Sequence, residues 1–203
     1  MEAKDLYKTI DQPGEETLFK DKNSKFFGYT FPVSNEEEVK EHLEELKKQH
    51  HSARHWCYAW RMGEEDPQYR ANDDGEPSNS AGQPIYGQIL SQDLTNILVV
   101  VVRYFGGVKL GVGGLINAYK TSAQLAIEAS VIITKTINHT FLLTFEYKDM
   151  NNVMRVIKEH QLNIINQDLY LKCKIWISVR KSETHKINEL FSAFYEVQVD
   201  QID

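Results

Sequence analysis

A chain of 203 residues, 41% apolar and 26% charged, has the make-up of one large or two small globular domains, which excludes disordered and fibrous classes. Its net charge of −6 excludes a polybasic nucleic-acid binder, but 12 acidic against 8 basic residues fall in the first 52 positions, so a local basic groove has room further along. The first twenty residues, MEAKDLYKTIDQPGEETLFK, have acids where a secretion signal needs bases and lack its apolar stretch, the longest apolar run (97–102) is too short to cross a bilayer, and Cys57 and Cys173 sit far apart in strand-like apolar settings, so a cytoplasmic protein with reduced thiols and no membrane segment is expected.

In chain order, SKFFGYTFPV (24–33) is aromatic and β-prone, and Pro32 marks it as an edge strand or a strand terminus. Ser34 precedes Glu37 at capping-box spacing, and Val39, Leu43 and Leu46 recur at helical intervals, so a helix is expected to about Gln49. WCYAW (56–60) reads as a core strand. Residues 63–84 are polar and turn-forming, which predicts a long loop and the first candidate site. LTNILVVVVR (94–103) is the continuous apolar run of a central strand covered on both faces. A glycine-rich turn (106–114) leads from it into a helix over 115–127, with Leu115, Ala118, Ser122 and Leu125 on its apolar stripe.

From about residue 138 the pattern becomes regular. A strand at 140–147 is followed by a helix at 151–161, a short strand at 162–167 and a strand over 170–179 alternating at Leu171, Cys173, Ile175, Ile177 and Val179. A helix with Ile187, Leu190, Phe191 and Phe194 inward and a last strand at 197–202 complete β-α-β-β-α-β, the ferredoxin-like order. The reading is therefore α+β with two domains, residues 1–135 and 139–203.

Three features carry candidate chemistry. In RYFGGVKLGVGGLINAY (103–119), Gly106, Gly107, Gly111, Gly113 and Gly114 lie at the start of a helix, where free amides and the dipole attract anions, and Arg103 and Lys109 add cations. The turn is neither a Walker loop nor a dinucleotide fingerprint. The same glycines serve equally well for positive φ and close packing. In NDDGEPSNSAGQP (72–84), Asp73, Asp74 and Glu76 are candidates for acid–base work or a hard cation, against the plain alternative of a solvated Asp-Gly turn; the spacing fails the calcium-loop pattern. His55 and Cys57 suggest zinc or a catalytic pair, but no second Cys/His pair lies near, and both would share one face of a strand among apolar neighbours. No metal or cofactor is expected.

Ser24-Lys25-Phe26, Ala53 with His55 and Cys57, DDGEP (73–77) with AGQP (81–84), and above all VVVVRYFGGVKLGVGGL (99–115) resemble the IMPACT family in its bacterial YigZ branch. One departure is Ser78-Asn79-Ser80, where the family commonly has a glycine and a threonine before the Ala-Gly pair. The resemblance implies an N-terminal α+β domain similar to domain IV of elongation factor G and to the second domain of a small-subunit ribosomal protein. It also implies a ferredoxin-like C-terminal domain similar to domain V of that factor. Eukaryotic relatives look like regulators of translation that act by protein contact in the stress-kinase pathway through an additional N-terminal domain. For bacterial members, association with RNA or the ribosome follows from fold analogy.

The expected function is a translation-associated regulator that binds RNA, the ribosome or a translation-regulating protein through the glycine turn, with Arg103, Lys109, Lys25 and Lys120 as its cations. A hydrolase using Asp73, Asp74 and Glu76 is the alternative; it requires those carboxylates to converge on the turn in one concave pocket. A protein-interaction module using Tyr104, Phe105 and Tyr119 is the third reading and requires them to be exposed.

Overall fold

A computed structural model describes residues 5–170 and 172–202. They form eleven strands and five α-helices: β1 (Leu6–Ile10), β2 (Thr17–Asp21), β3 (Ser24–Pro32), α1 (Glu36–Gln49), β4 (His55–Met62), β5 (Gln68–Asn72), α2 (Gly82–Ser91), β6 (Ile97–Tyr104), α3 (Gly111–Glu128), β7 (Ile132–Thr136), β8 (Asn138–Phe145), α4 (Met150–Glu159), β9 (Asn163–Asp168), β10 (Cys173–Arg180), α5 (Thr184–Phe191) and β11 (Gln198–Gln201). Two compact units result, residues 7–135 and residues 136–202 joined by residues 5 and 6. Asp5 reaches the second unit by accepting from the Ile137 amide at 2.8 Å and from Arg180 Nε at 2.6 Å.

In the first unit a five-stranded antiparallel sheet runs in the order β2-β3-β6-β4-β5. β6 is central and buried from Ile97 to Arg103, because Val99 and Val101 face α2 and α3 while Leu98, Val100 and Val102 face α1. That is the physical meaning of its unbroken apolar run. β3 is an inner strand, so Pro32 marks its terminus and not an edge. The turn between β2 and β3 is only Lys22 and Asn23, both left-handed (φ +43° and +66°), as a two-residue hairpin of this hand requires.

The expected long loop at 63–84 is interrupted. β5 pairs with β4 at the sheet edge with mostly exposed side chains, so it is made by backbone bonds and leaves no apolar pattern to read. α2 then begins at Gly82. The capping of α1 is also one residue later than its spacing predicts: Asn35 Oδ1 accepts from the amides of Glu37 and Glu38, and Glu38 reaches back to the Ser34 amide at 2.7 Å.

The second unit has strand order β11-β8-β10-β9, every pair antiparallel, which is the ferredoxin-like arrangement of β-α-β-β-α-β. Cys173, Ile175, Ile177 and Val179 alternate inward and pack with Val153, Val156 and Ile157 of α4 and Ile187 and Phe191 of α5. Leu171, which the same alternation assigns to this strand, lies outside the described residues.

On the α1 side of the first unit, a chain of polar groups ends at Tyr104, the last residue of β6. The Tyr29 hydroxyl donates to Glu16 Oε2 at 2.5 Å and meets His50 Nε2 at 2.5 Å, while His50 Nδ1 meets the Tyr104 hydroxyl at 3.0 Å. Since Tyr29 gives its only hydrogen to Glu16, Nε2 must carry the imidazole hydrogen and Nδ1 must accept from Tyr104. Burial lowers the His50 pKa from its ordinary 6.5, with Glu16 opposing. Below that value the unfolded chain takes up a proton that the folded one resists, so this contribution to stability is present above about pH 6.5 and falls as pH is lowered. Urea midpoints between about pH 7 and about pH 5.5 are expected to decline in the wild type and to flatten in His50→Gln, which has no charge to gain.

Candidate functional site

The acidic loop is built largely for its own architecture. Asp73 Oδ1 accepts from the amides of Ala81 and Gly82 (2.9 and 2.8 Å) and its Oδ2 from that of Asn79 (2.8 Å), so it caps α2 from outside the helix. Asp74 Oδ2 accepts from the Trp56 amide at 2.7 Å and thereby ties the loop to β4. Gly82 has no room for a side chain, since a Cβ would lie 2.5 Å from the Asn72 amide nitrogen. Where the chain has Ser78-Asn79-Ser80, Asn79 takes φ +60°, a region that asparagine tolerates. The buried Ser80 hydroxyl donates to the Pro77 carbonyl at 2.6 Å.

Glu76 has a different environment. Its side chain is 4% exposed, and its Oε1 lies 2.6 Å from Nη1 of Arg103, which is 6% exposed. The same oxygen accepts from the Tyr119 hydroxyl at 2.8 Å. Burial, then the neighbouring Cys57 and Glu76, push the Tyr119 phenol far above its ordinary value, so it remains a neutral donor. The Arg103 guanidinium lies between the rings of Phe26 and Phe105, 5.5 and 5.6 Å from their centroids, and its Nε–H is buried without an acceptor among the described residues.

His55 and Cys57 share a face of β4, and His55 sits directly opposite Arg103 on β6. His55 Nδ1 donates to the Asp74 carbonyl at 2.9 Å, which in the neutral imidazole leaves Nε2 as an acceptor. The fully buried Cys57 thiol donates to the Asp73 carbonyl at 3.0 Å and lies 3.3 Å from the Tyr119 hydroxyl. Burial pushes the thiol well above its ordinary range, so it is neither a thiolate nucleophile nor a ready ligand at neutral pH. Among the described residues no three His, Cys, Asp or Glu side chains gather as a metal ion would need.

The glycine turn divides into two halves. Gly106 is a packing residue: a Cβ there would lie 2.1 Å from the Asn23 carbonyl carbon, and its amide donates to the buried Ser24 hydroxyl at 3.1 Å. Gly114 is packed likewise, with Leu110 Cβ 2.9 Å from an added Cβ. Gly107 and Gly111 are left-handed (φ +85° and +75°) with open space beside them, and Gly113 is open too. No side chain caps α3, so its first amides, at the exposed residues 111–113, are left without intrahelical partners.

A cleft of about 420 Å³ opens between these parts, lined by Arg54, His55, Glu76, Pro77, Arg103, Phe105, Lys109, Leu110, Gly111, Val112 and Leu115. It brings Arg103, Lys109, Gly111, Glu76 and His55 together. It omits Asp73 and Asp74, so one of the three carboxylates converges on the turn. Glu76 is the single acid in the lining and is offset by Arg103; Arg54 and Lys109 form no ion pair among the described residues.

Two cations fall elsewhere. Lys25 pairs with Tyr104 across β3 and β6 while Phe26 pairs with Arg103, which puts Lys25 and Arg103 on opposite faces of the sheet. Lys120 is exposed on α3, half a rotation round from Gly111 and about 13 Å further along the axis. Of the three aromatics, Tyr119 is fully buried and Tyr104 half-buried, and Phe105 alone is strongly exposed, at 54%. Arg54 escaped the sequence reading because nothing marks a lone cation before a strand.

A two-domain α+β chain with this cleft in its first unit is a defined class: residues 22–127, which include every cleft residue, match the Impact N-terminal domain. The chain is 32% identical to IMPACT family member YvyE of Bacillus subtilis over 183 residues, covering 90% of this chain and 84% of that one. It is 34% identical to IMPACT family member YigZ of Escherichia coli, covering 72% and 73%. The chain belongs to the IMPACT family. A crystal structure of a hypothetical protein superposes with a TM-score of 0.73 at 25% identity over 99% of both chains.

Glu76→Ala leaves the Arg103 charge buried and unpaired, and is expected to cost about 3–5 kcal/mol in urea unfolding, with much of it recovered when Arg103 is also replaced by Met. Gly106→Ala is expected to cost about 1–3 kcal/mol by overpacking against the β2–β3 hairpin, read as a lowered melting temperature.

Proposed function

We propose that the chain is a translation-associated regulator that engages RNA, free or within the ribosome, at the cleft beside the start of α3. The observation that carries this is the charge arrangement. The helix end offers unclaimed amides, Arg54 and Lys109 are uncompensated, and the single acid of the cleft is already neutralised by Arg103. Phosphate is the ligand chemistry such a set attracts, through charge and directional N–H donors together.

The family resemblance to regulators of translation supports the biological setting, and the site supplies the chemistry. A hydrolase draws less support, because Asp73 and Asp74 are occupied with main-chain amides and only Glu76 borders the cleft. Lys25 and Lys120 stand apart from the cleft and the charge of Arg103 is offset by Glu76, so the proposed free cations are Arg54 and Lys109.

Filter-binding titrations at increasing salt test the proposal. RNA is expected to be retained at low salt, with affinity falling steeply as salt rises. Lys109→Ala and Arg54→Ala are each expected to reduce the slope of log affinity against log salt by about one, while Lys120→Ala leaves it unchanged. Absence of retention at low salt, or a slope indifferent to the cleft variants, overturns the reading.

A further inference from the structure

We infer that the cleft recognises one unpaired nucleotide, with its base laid against Phe105 and its phosphate at Lys109 and the first amides of α3. This rests on the RNA reading and adds to it that the RNA is read as an extruded or single-stranded base and not as a duplex surface.

Four observations lead there. The cavity is about 420 Å³, and Pro77, Phe105, Leu110, Val112 and Leu115 give it a largely apolar wall beside the cations. A site for bare phosphate has no use for such a wall, and a duplex backbone presents no group that would enter it. Phe105 is 54% exposed immediately before the turn, in a protein whose neighbouring aromatics Phe26 and Tyr119 are fully buried. An exposed aromatic face beside phosphate donors is the platform on which proteins stack single-stranded bases.

The third observation is the Arg103 Nε–H, a donor on a side chain 94% withdrawn from solvent that lines the cleft and lacks an acceptor among the described residues. A buried donor left unmade is costly, and an oxygen of a nucleotide seated against Arg103 would satisfy it. The fourth is His55, whose Nδ1 is committed to the Asp74 carbonyl. In the neutral imidazole its Nε2 is an acceptor for a hydroxyl or amino hydrogen, which the ribose 2′-hydroxyl or a base edge can supply.

The test compares a short single-stranded oligoribonucleotide with the same strand annealed to its complement, measured by fluorescence anisotropy against wild type, Phe105→Ala and Phe105→Tyr. The single strand is expected to bind wild type more tightly than the duplex does. Phe105→Ala is expected to lose roughly 5- to 150-fold of the single-strand affinity, the range for one base–aromatic stack, with the salt slope unchanged because no charge is removed. Phe105→Tyr, which keeps the ring, restores it.

Equal binding of both forms with no effect of Phe105→Ala overturns the nucleotide inference and leaves RNA binding standing. Failure to bind any RNA at low salt removes both. Equal displacement of the RNA by polyglutamate from wild type and Phe105→Ala identifies a bare anion site and overturns the inference as well. Phe105 is on the surface, and matched thermal melts of the three proteins separate loss of stacking from loss of fold.

Discussion

The buried pair of Arg103 and Glu76 is the constraint on which the cleft depends. Two charges withdrawn from water cost several kcal/mol each unless geometry and further hydrogen bonds compensate, and here one carboxylate oxygen serves both the guanidinium and the Tyr119 hydroxyl. Those three side chains come from the loop before α2, from the end of the central strand and from the third turn of α3. Their meeting point therefore fixes where the loop, the sheet and the helix stand relative to one another. The glycine turn connects two of them and inherits its position from the pair.

Around that centre the acids of the loop divide their work by geometry. Asp73 and Asp74 are turned toward main-chain amides and serve as internal struts, and Glu76 alone is directed at another charge. The glycines divide in the same way. Gly106 is selected by a backbone pressed against it, whereas Gly107 and Gly111 bend the chain so that the amides at the head of α3 stay open. The cleft is thus an electropositive opening with an apolar wall, made by elements that are themselves held by neutralised charges.

Much of this was legible in the sequence, for identifiable reasons. The central strand declared itself because a run from Ile97 to Val102 has no polar residue to place on a solvent face, and β10 because Cys173, Ile175, Ile177 and Val179 keep strict alternation. Elements that depend on partners stayed hidden: β5 is an edge strand with little buried surface, and α2 is capped by a residue nine positions upstream, a bond with no local signature. The glycine turn, Arg103 and Lys109 were singled out by their place between a buried strand and the start of a helix, and the fold brings Arg103, Lys109 and Gly111 to one cleft. The side of the sheet on which Lys25 falls depends on strand register, which places it opposite Tyr104 and not opposite Arg103. The neutralising role of Glu76 belongs to a pairing across the fold with Arg103, and the place of Arg54 in the cleft depends on how β4 and the start of α3 come together; composition is silent about both.

The double service of Asp73 has a consequence for how this segment can vary over evolutionary time. One carboxylate bonds amides at 79, 81 and 82 at once, so the span between the acid and the helix is measured out to the residue. Surface connections ordinarily absorb insertions and deletions with little penalty. This one behaves as a ruler: a single added or missing residue would separate the carboxylate from its amides and carry Glu76 away from Arg103. Length polymorphism is thus expected on the other connections of the first unit and absent between Asp73 and Gly82, whatever substitutions accumulate there.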